Sequence, residues 1–197
     1  MKRQNGRMAT HVALLRGINV GGRNKVAMAD LRALVASLGH TGVTTYIQSG
    51  NVLFTATETD TDKLADVLEQ AIAAELGVGA RVVVLSREEL AQVIRDNPYP
   101  DVPNPKCLHA VLRRGTLSPE LLDRIADAGR KVAQQGSRDS VQSVGRALYL
   151  YTPDGFGRSE LAEQLMRIVG SPKAGMTGTA RNWATVTKLL SLCDAPS

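Results

Sequence analysis

The 197-residue chain has only two cysteines, Cys107 and Cys193, and no CxxC pair. That argues against a disulfide-framed scaffold and against zinc sites built on cysteine. The three histidines, His11, His40 and His109, show no paired metal-ligand spacing, so no metal is expected. Aromatic residues make up 4% of the chain, too few for a platform on which successive bases stack. The first strand candidate, VALLRGI, has none, and a later one, NVLFT, has a single Phe, which argues against single-strand recognition of the RRM kind. No apolar run reaches the roughly 18 residues that a membrane-spanning helix needs. The opening MKRQNGRMATH has basic residues but no apolar stretch behind them, so it does not read as a secretory signal. With cysteine so scarce, a cytoplasmic location is the expectation.

Charge is present but divided. The formal net charge is +5, from 24 Lys and Arg against 19 Asp and Glu. Residues 1–7 contribute Lys2, Arg3 and Arg7 with no acid, and they precede any apolar periodicity, so they read as a disordered extension. Residues 8–57 are mildly basic, 58–105 acidic and 106–197 mildly basic. A protein that coats nucleic acid usually carries a stronger and more continuous excess.

The apolar pattern changes period along the chain. His11–Ile18 has strand length. Met28, Leu31, Leu34, Val35 and Leu38 fall at helical spacing within Val26–Leu38, with Gly39 as the stop. Val43–Ile47 and Asn51–Thr55 flank Gln48-Ser49-Gly50 as a hairpin. Asp60 or Thr61 caps a helix ending at Gly77, and Arg81–Leu85 is a continuous apolar strand of the kind buried on both faces. The order β-α-β-β-α-β is that of the ferredoxin-like plait. Ser86-x-x-Glu89 is a capping box for a connecting helix. Asn97–Pro105 holds four of the eight prolines and is the preferred boundary. Beyond it, Cys107–Leu112 reads as a strand, and Ser118-Pro119 opens a helix closing at Gly129. Lys131–Gln135, Ser140–Val144 and Ala147–Tyr151 read as extended, Ser159–Val169 as helical, and Thr179 as the cap of a last helix with Trp183, Val186, Leu189 and Leu190 inward. The expected fold is α/β (α+β): two ferredoxin-like (βαββαβ) subdomains with an extra C-terminal helix. The divisions are 8–96 for the first with its connecting helix, 97–105 for the linker, and 106–197 for the second.

Four polar-and-glycine segments stand at element ends. In Gly17-Ile-Asn-Val-Gly21-Gly22-Arg23-Asn24-Lys25, small residues between a strand and a helix let backbone N–H groups approach an anion. The Gly17-x-x-x-x-Gly22 spacing is that of a P-loop, but Arg23 and Asn24 stand where Lys and Ser/Thr are needed, so an NTPase is disfavoured. The same glycines serve equally well as a fold-shaping connection. Gln48-Ser49-Gly50-Asn51 suits a tight turn, and it also offers hydrogen-bonding groups near the glycine loop, because antiparallel first and third strands bring the end of one to the start of the other. Gly155-Phe156-Gly157-Arg158-Ser159 and Thr179-Ala180-Arg181-Asn182-Trp183 each place an arginine at a helix start. Ser49 and Cys107 are nucleophile candidates without an identifiable base.

Leu14-Leu15-Arg16-Gly17-Ile18-Asn19-Val20-Gly21-Gly22, Tyr46-Ile47-Gln48-Ser49-Gly50-Asn51-Val52 and the two arginine segments resemble the bacterial family known as domain of unknown function 1697, from about Met8 to the end. The resemblance implies two ferredoxin-like α/β subdomains and no established activity, substrate, cofactor or catalytic residue. One departure is Ala27 before Met28, where relatives tend to have proline.

The sequence therefore leads us to expect a small anionic, nucleotide- or phosphate-like ligand in a cleft between subdomains. Arg16, Arg23, Lys25, Arg158 and Arg181 would neutralise its charge. Gly17, Gly21 and Gly22 would let the backbone approach, and Asn19, Gln48, Ser49, Asn51 and Asn182 would orient it. The alternatives are a protein that binds the nucleic-acid phosphate backbone and an enzyme of unknown reaction.

Overall fold

The computed structural model describes residues 9–171 and 176–195. The extension expected at residues 1–7 lies outside them. The chain divides into two compact units, Met1–Ala91 with Lys188–Ser197, and Gln92–Thr187.

The first unit contains β1 (His11–Arg16), α1 (Met28–Ser37), β2 (Thr41–Tyr46), β3 (Asn51–Thr55), α2 (Thr61–Leu76) and β4 (Arg81–Ser86). The sheet order is β2-β3-β1-β4, antiparallel throughout, which is the ferredoxin-like arrangement. Ala13, Leu15, Val52, Phe54, Val82 and Val84 pack with Leu31, Leu34 and Val35 of α1 and Leu64, Leu68 and Ile72 of α2. Val83 and Leu85 are also fully buried, so β4 has apolar residues inward on both faces, as its unbroken apolar run indicates. Local chemistry sets the helix ends. The Asp60 carboxylate accepts from the N–H groups of Asp62 and Lys63, and Gly77 ends α2 in the left-handed conformation. α3 (Arg87–Arg95) opens with both halves of the capping box: the Glu89 N–H donates to Ser86 Oγ at 3.1 Å, and the Ser86 N–H donates to the Glu89 carboxylate at 2.9 Å.

The second unit contains β5 (Leu108–Arg114), α4 (Pro119–Gln134), β6 (Ser140–Val144), β7 (Ala147–Tyr151), α5 (Glu160–Gly170) and β8 (Thr177–Asn182), with sheet order β6-β7-β5-β8, again antiparallel. α6 (Trp183–Cys193) follows. Leu121, Ile125 and Val132 of α4 meet Val111, Leu148, Leu150 and Leu161, Leu165 and Val169 of α5.

Two elements here differ from the sequence reading. α4 does not stop at Gly129, and Lys131–Gln135 is not extended, because the helix runs to Gln134. The buried row Leu121, Ile125, Ala128, Val132 continues through the glycine, and a Cβ there would lie 3.4 Å from Val141 Cγ1. Gly129 thus lies inside α4 and does not cap it, and a Cβ there would make only ordinary contact with Val141. The second correction concerns Thr179, which does not cap the last helix. It lies within β8, paired with Leu112 of β5, and Asn182 supplies the helix-end acceptor, taking the Ala184 N–H at 3.1 Å. Arg181 is consequently a strand residue and not part of the first turn of α6. Val186 and Leu189 are buried, whereas Trp183 and Leu190 are half-buried.

Candidate functional site

β1 ends at Arg16, and the chain then makes an irregular excursion before α1. Gly17, Gly21 and Gly22 take positive φ values of 78°, 58° and 76°. Among the described residues, three that are not glycine also have positive φ: Asn19 at 53°, Asn24 at 49° and Ile47 at 51°. All three lie in this loop or in the β2–β3 turn. Asn tolerates the left-handed region because its short side chain bonds locally, but a β-branched residue such as Ile47 is an outlier there.

The two loops are tied by one side chain. Asn19 Nδ2 donates to the Gln48 carbonyl at 2.9 Å and to the Val26 carbonyl at 3.0 Å, while its Oδ1 accepts from the Val26 N–H at 2.9 Å. Asn24 Nδ2 donates to the Gly17 carbonyl at 2.9 Å, the Asn19 N–H to the Asn24 carbonyl at 3.1 Å, and the Arg23 N–H to the Val20 carbonyl at 3.1 Å. The excursion therefore satisfies its own backbone while standing at the surface. Beneath the turn, Asn51 is fully buried and donates to the Tyr46 carbonyl and to Ser49 Oγ.

A recess of about 440 Å³ opens between the loops, lined by Asn19, Gly22, Lys25, Val26, Ala27 and Gln48. α1 begins at its edge with Ala27 at the cap position, where no side chain accepts from the first-turn N–H groups, and Asp30 stands in that first turn. Lys25 and Arg23 are exposed. Arg16 is half-buried at the end of β1, opposite Arg81 of β4, and burial lowers its pKa.

The expected site residues fall into distinct groups. Asn19, Gly22, Lys25 and Gln48 share the recess, with Gly17, Gly21, Arg23 and Ser49 in the same two loops. Asn51 is occupied beneath the turn. The remaining three belong to the second unit. Arg158 is exposed in a short 3-10 turn (Phe156–Arg158) beside a recess of about 350 Å³ at the start of α5. Arg181 is only 7% exposed, donates to Thr179 Oγ1 and the Ala180 carbonyl, and is held by burial at a pKa of about 10. Asn182 donates to the Lys106 carbonyl as well as capping α6. Sequence reasoning missed Val26 and Ala27 as lining residues and Ile47 as a strained one. Their position just before α1 was a usable signal for the first two.

Of the nucleophile candidates, Ser49 is exposed and accepts from Asn51, and the Cys107 thiol donates to the Pro153 carbonyl at 3.6 Å. The histidine rings pack on phenylalanines: His11 and His40 on Phe54, and His109 on Phe156. Among the described residues no group of three or more His, Cys, Asp or Glu is placed to hold a metal, and no helix is long and apolar enough to cross a membrane.

Two four-stranded antiparallel sheets, each in ferredoxin-like order and carrying glycine-rich loops at strand ends, define the class of this protein. The profile described as "Protein of unknown function (DUF1697)" matches residues 8–149, and the chain belongs to that family. It is similar to a solved structure titled "The structure of conserved bacterial protein SP0830 from Streptococcus pneumoniae", with a TM-score of 0.65 and 23% identity over 94% of this chain and 98% of that one. At that identity the likeness speaks for the fold. Among curated proteins none matches the chain.

Proposed function

We propose that the protein binds a small anionic ligand, phosphate- or nucleotide-like, at the recess between the glycine loop and the β2–β3 turn. The carrying observation is that Asn19 bolts together two surface loops that hold Asn19, Asn24 and Ile47 in left-handed backbone. Of these, Ile47 is strained, and strain of this kind persists where the surrounding structure holds it and concentrates at ligand sites. The chemistry of the rim suits an anion. Lys25 supplies a mobile positive charge, Gln48 an amide, and the start of α1 carries first-turn N–H groups without a side-chain cap.

The assignment is tested by the thermal stability of the protein with and without inorganic phosphate. Binding at 100 times the Kd adds about 2.7 kcal/mol of stability. Lys25→Ala should abolish that gain while leaving the unliganded melting temperature unchanged. A gain that survives Lys25→Ala would place the anion elsewhere.

A further inference from the structure

The backbone at Ile47 favours glycine or asparagine, yet the residue there is β-branched, with φ at 51° and its surface 50% exposed. Core packing does not account for that choice, and the turn geometry opposes it. Val20 repeats the pattern on the neighbouring loop: it is 70% exposed, flanked by Asn19 and Gly21. These are the two most exposed large hydrophobic residues among those described. The residues next to them, Asn19 and Gln48, are the pair joined at 2.9 Å, so the two apolar tips stand on loops fixed to one another. Exposed Arg23, whose N–H closes the turn on the Val20 carbonyl, and exposed Lys25 add positive charge to the same loop.

Building on the anion-binding reading above, we propose that the ligand is a mononucleotide, with its phosphate toward Lys25 and Arg23 and one face of its base against Val20 and Ile47. The chemistry separates this from other amphiphilic anions. An alkyl chain needs a continuous apolar groove, whereas here two isolated aliphatic tips stand beside the Gln48 amide and the Ser49 hydroxyl, the Asn19 amide being used in holding the loops together. That mixture matches a heteroaromatic ring, apolar on its faces and hydrogen-bonding at its edge. The recess of about 440 Å³, lined by Gly22, Lys25 and Gln48 among others but not by Val20 or Ile47, takes the phosphate, and the base lies outside it on the two tips.

The test is calorimetric titration of the whole protein with inorganic phosphate, ribose 5-phosphate and AMP. AMP should bind at least tenfold more tightly than ribose 5-phosphate. The double variant Val20→Ser with Ile47→Asn should erase that difference and leave the affinity for inorganic phosphate unchanged. Circular dichroism checks that the variant is folded, and the Ile47 change relieves strain. Equal affinity of the wild type for AMP and ribose 5-phosphate would overturn the base platform while leaving the anion site standing. An AMP preference that survives in the double variant would overturn its placement on these two residues. If none of the three compounds binds, the anion-site reading fails, and this inference with it.

Discussion

Asn19 Nδ2 reaches the Gln48 carbonyl at 2.9 Å across 29 residues of sequence, while the same side chain holds both the N–H and the C=O of Val26. One amide thereby fixes the glycine loop to itself, to the β2–β3 turn and to the approach into α1. Shape at this corner rests on these hydrogen bonds together with Ile18 and Val26, which anchor the loop in the core.

Asn19→Ala removes all three of these bonds and a residue type suited to left-handed backbone. The expected loss is about 2 kcal/mol, from net values near 1 kcal/mol per hydrogen bond with partial compensation by water at an accessible site. Urea denaturation measures it, and Asn19→Asp should not recover the loss, because it turns a carboxylate oxygen toward the Gln48 and Val26 carbonyls.

Ile47→Asn makes the opposite case. Leaving the left-handed region to a residue that accepts it returns about 1–2 kcal/mol, against about 1 kcal/mol for the half-buried apolar surface lost. Stability should stay level or rise by up to about 1 kcal/mol. A clear destabilisation in the same urea experiment would show that Ile47 is held by packing and not available to a ligand.

Gly50→Ala should be among the most damaging single changes in the first unit. Gly50 has φ at 76°, its carbonyl accepts the Leu15 N–H at 2.8 Å, and a Cβ there would lie 2.6 Å from Ile18 Cδ1 and 2.8 Å from Leu15 Cβ. Left-handed strain and overpacking together predict a loss of about 3 kcal/mol. Gly21→Ala shares the positive φ but has open space around the new methyl, so it should cost less.

Acid should weaken the fold through its histidines. Burial lowers the pKa of His11 and His40 and takes His109, whose Nδ1 is buried without a partner, down to about 4. The unfolded chain takes up these protons near pH 6.5, before the folded protein does. Stability from the neutral rings is therefore complete above the unfolded value and is lost as pH falls from about 6.5 toward 4. His109→Leu should flatten the acid limb of a stability-against-pH curve measured by chemical denaturation. An unchanged limb would contradict the role given to burial of this ring.

Much of the fold was written in local chemistry. Ser86 with Glu89, Ser118 with Pro119, Asp60 and Gly77 each mark a helix end that the structure keeps. β8 was not legible, because Thr177–Asn182 reads TGTARN, with no apolar run and no alternation. Its burial comes from pairing with β5, more than 60 residues earlier in the chain. Gly129 misled because a glycine inside a helix leaves the same local mark as one at its end, while the buried row Leu121, Ile125, Ala128 and Val132 runs on past it. The neighbourhood of Asn19 and Gln48 followed from the antiparallel pairing of β1 and β3. The strain at Ile47 did not, since a side-chain type carries no record of an unfavourable φ.

The most direct measurement of anion binding is a titration of isotope-labelled protein with inorganic phosphate, followed through the backbone amide resonances. The account predicts saturable shifts confined to Asn19, Gly22, Lys25, Val26, Ala27 and Gln48 and to the first turn of α1, all lost in Lys25→Ala. Shifts centred on Arg158 and the start of α5, or no saturable shifts at all, would contradict it.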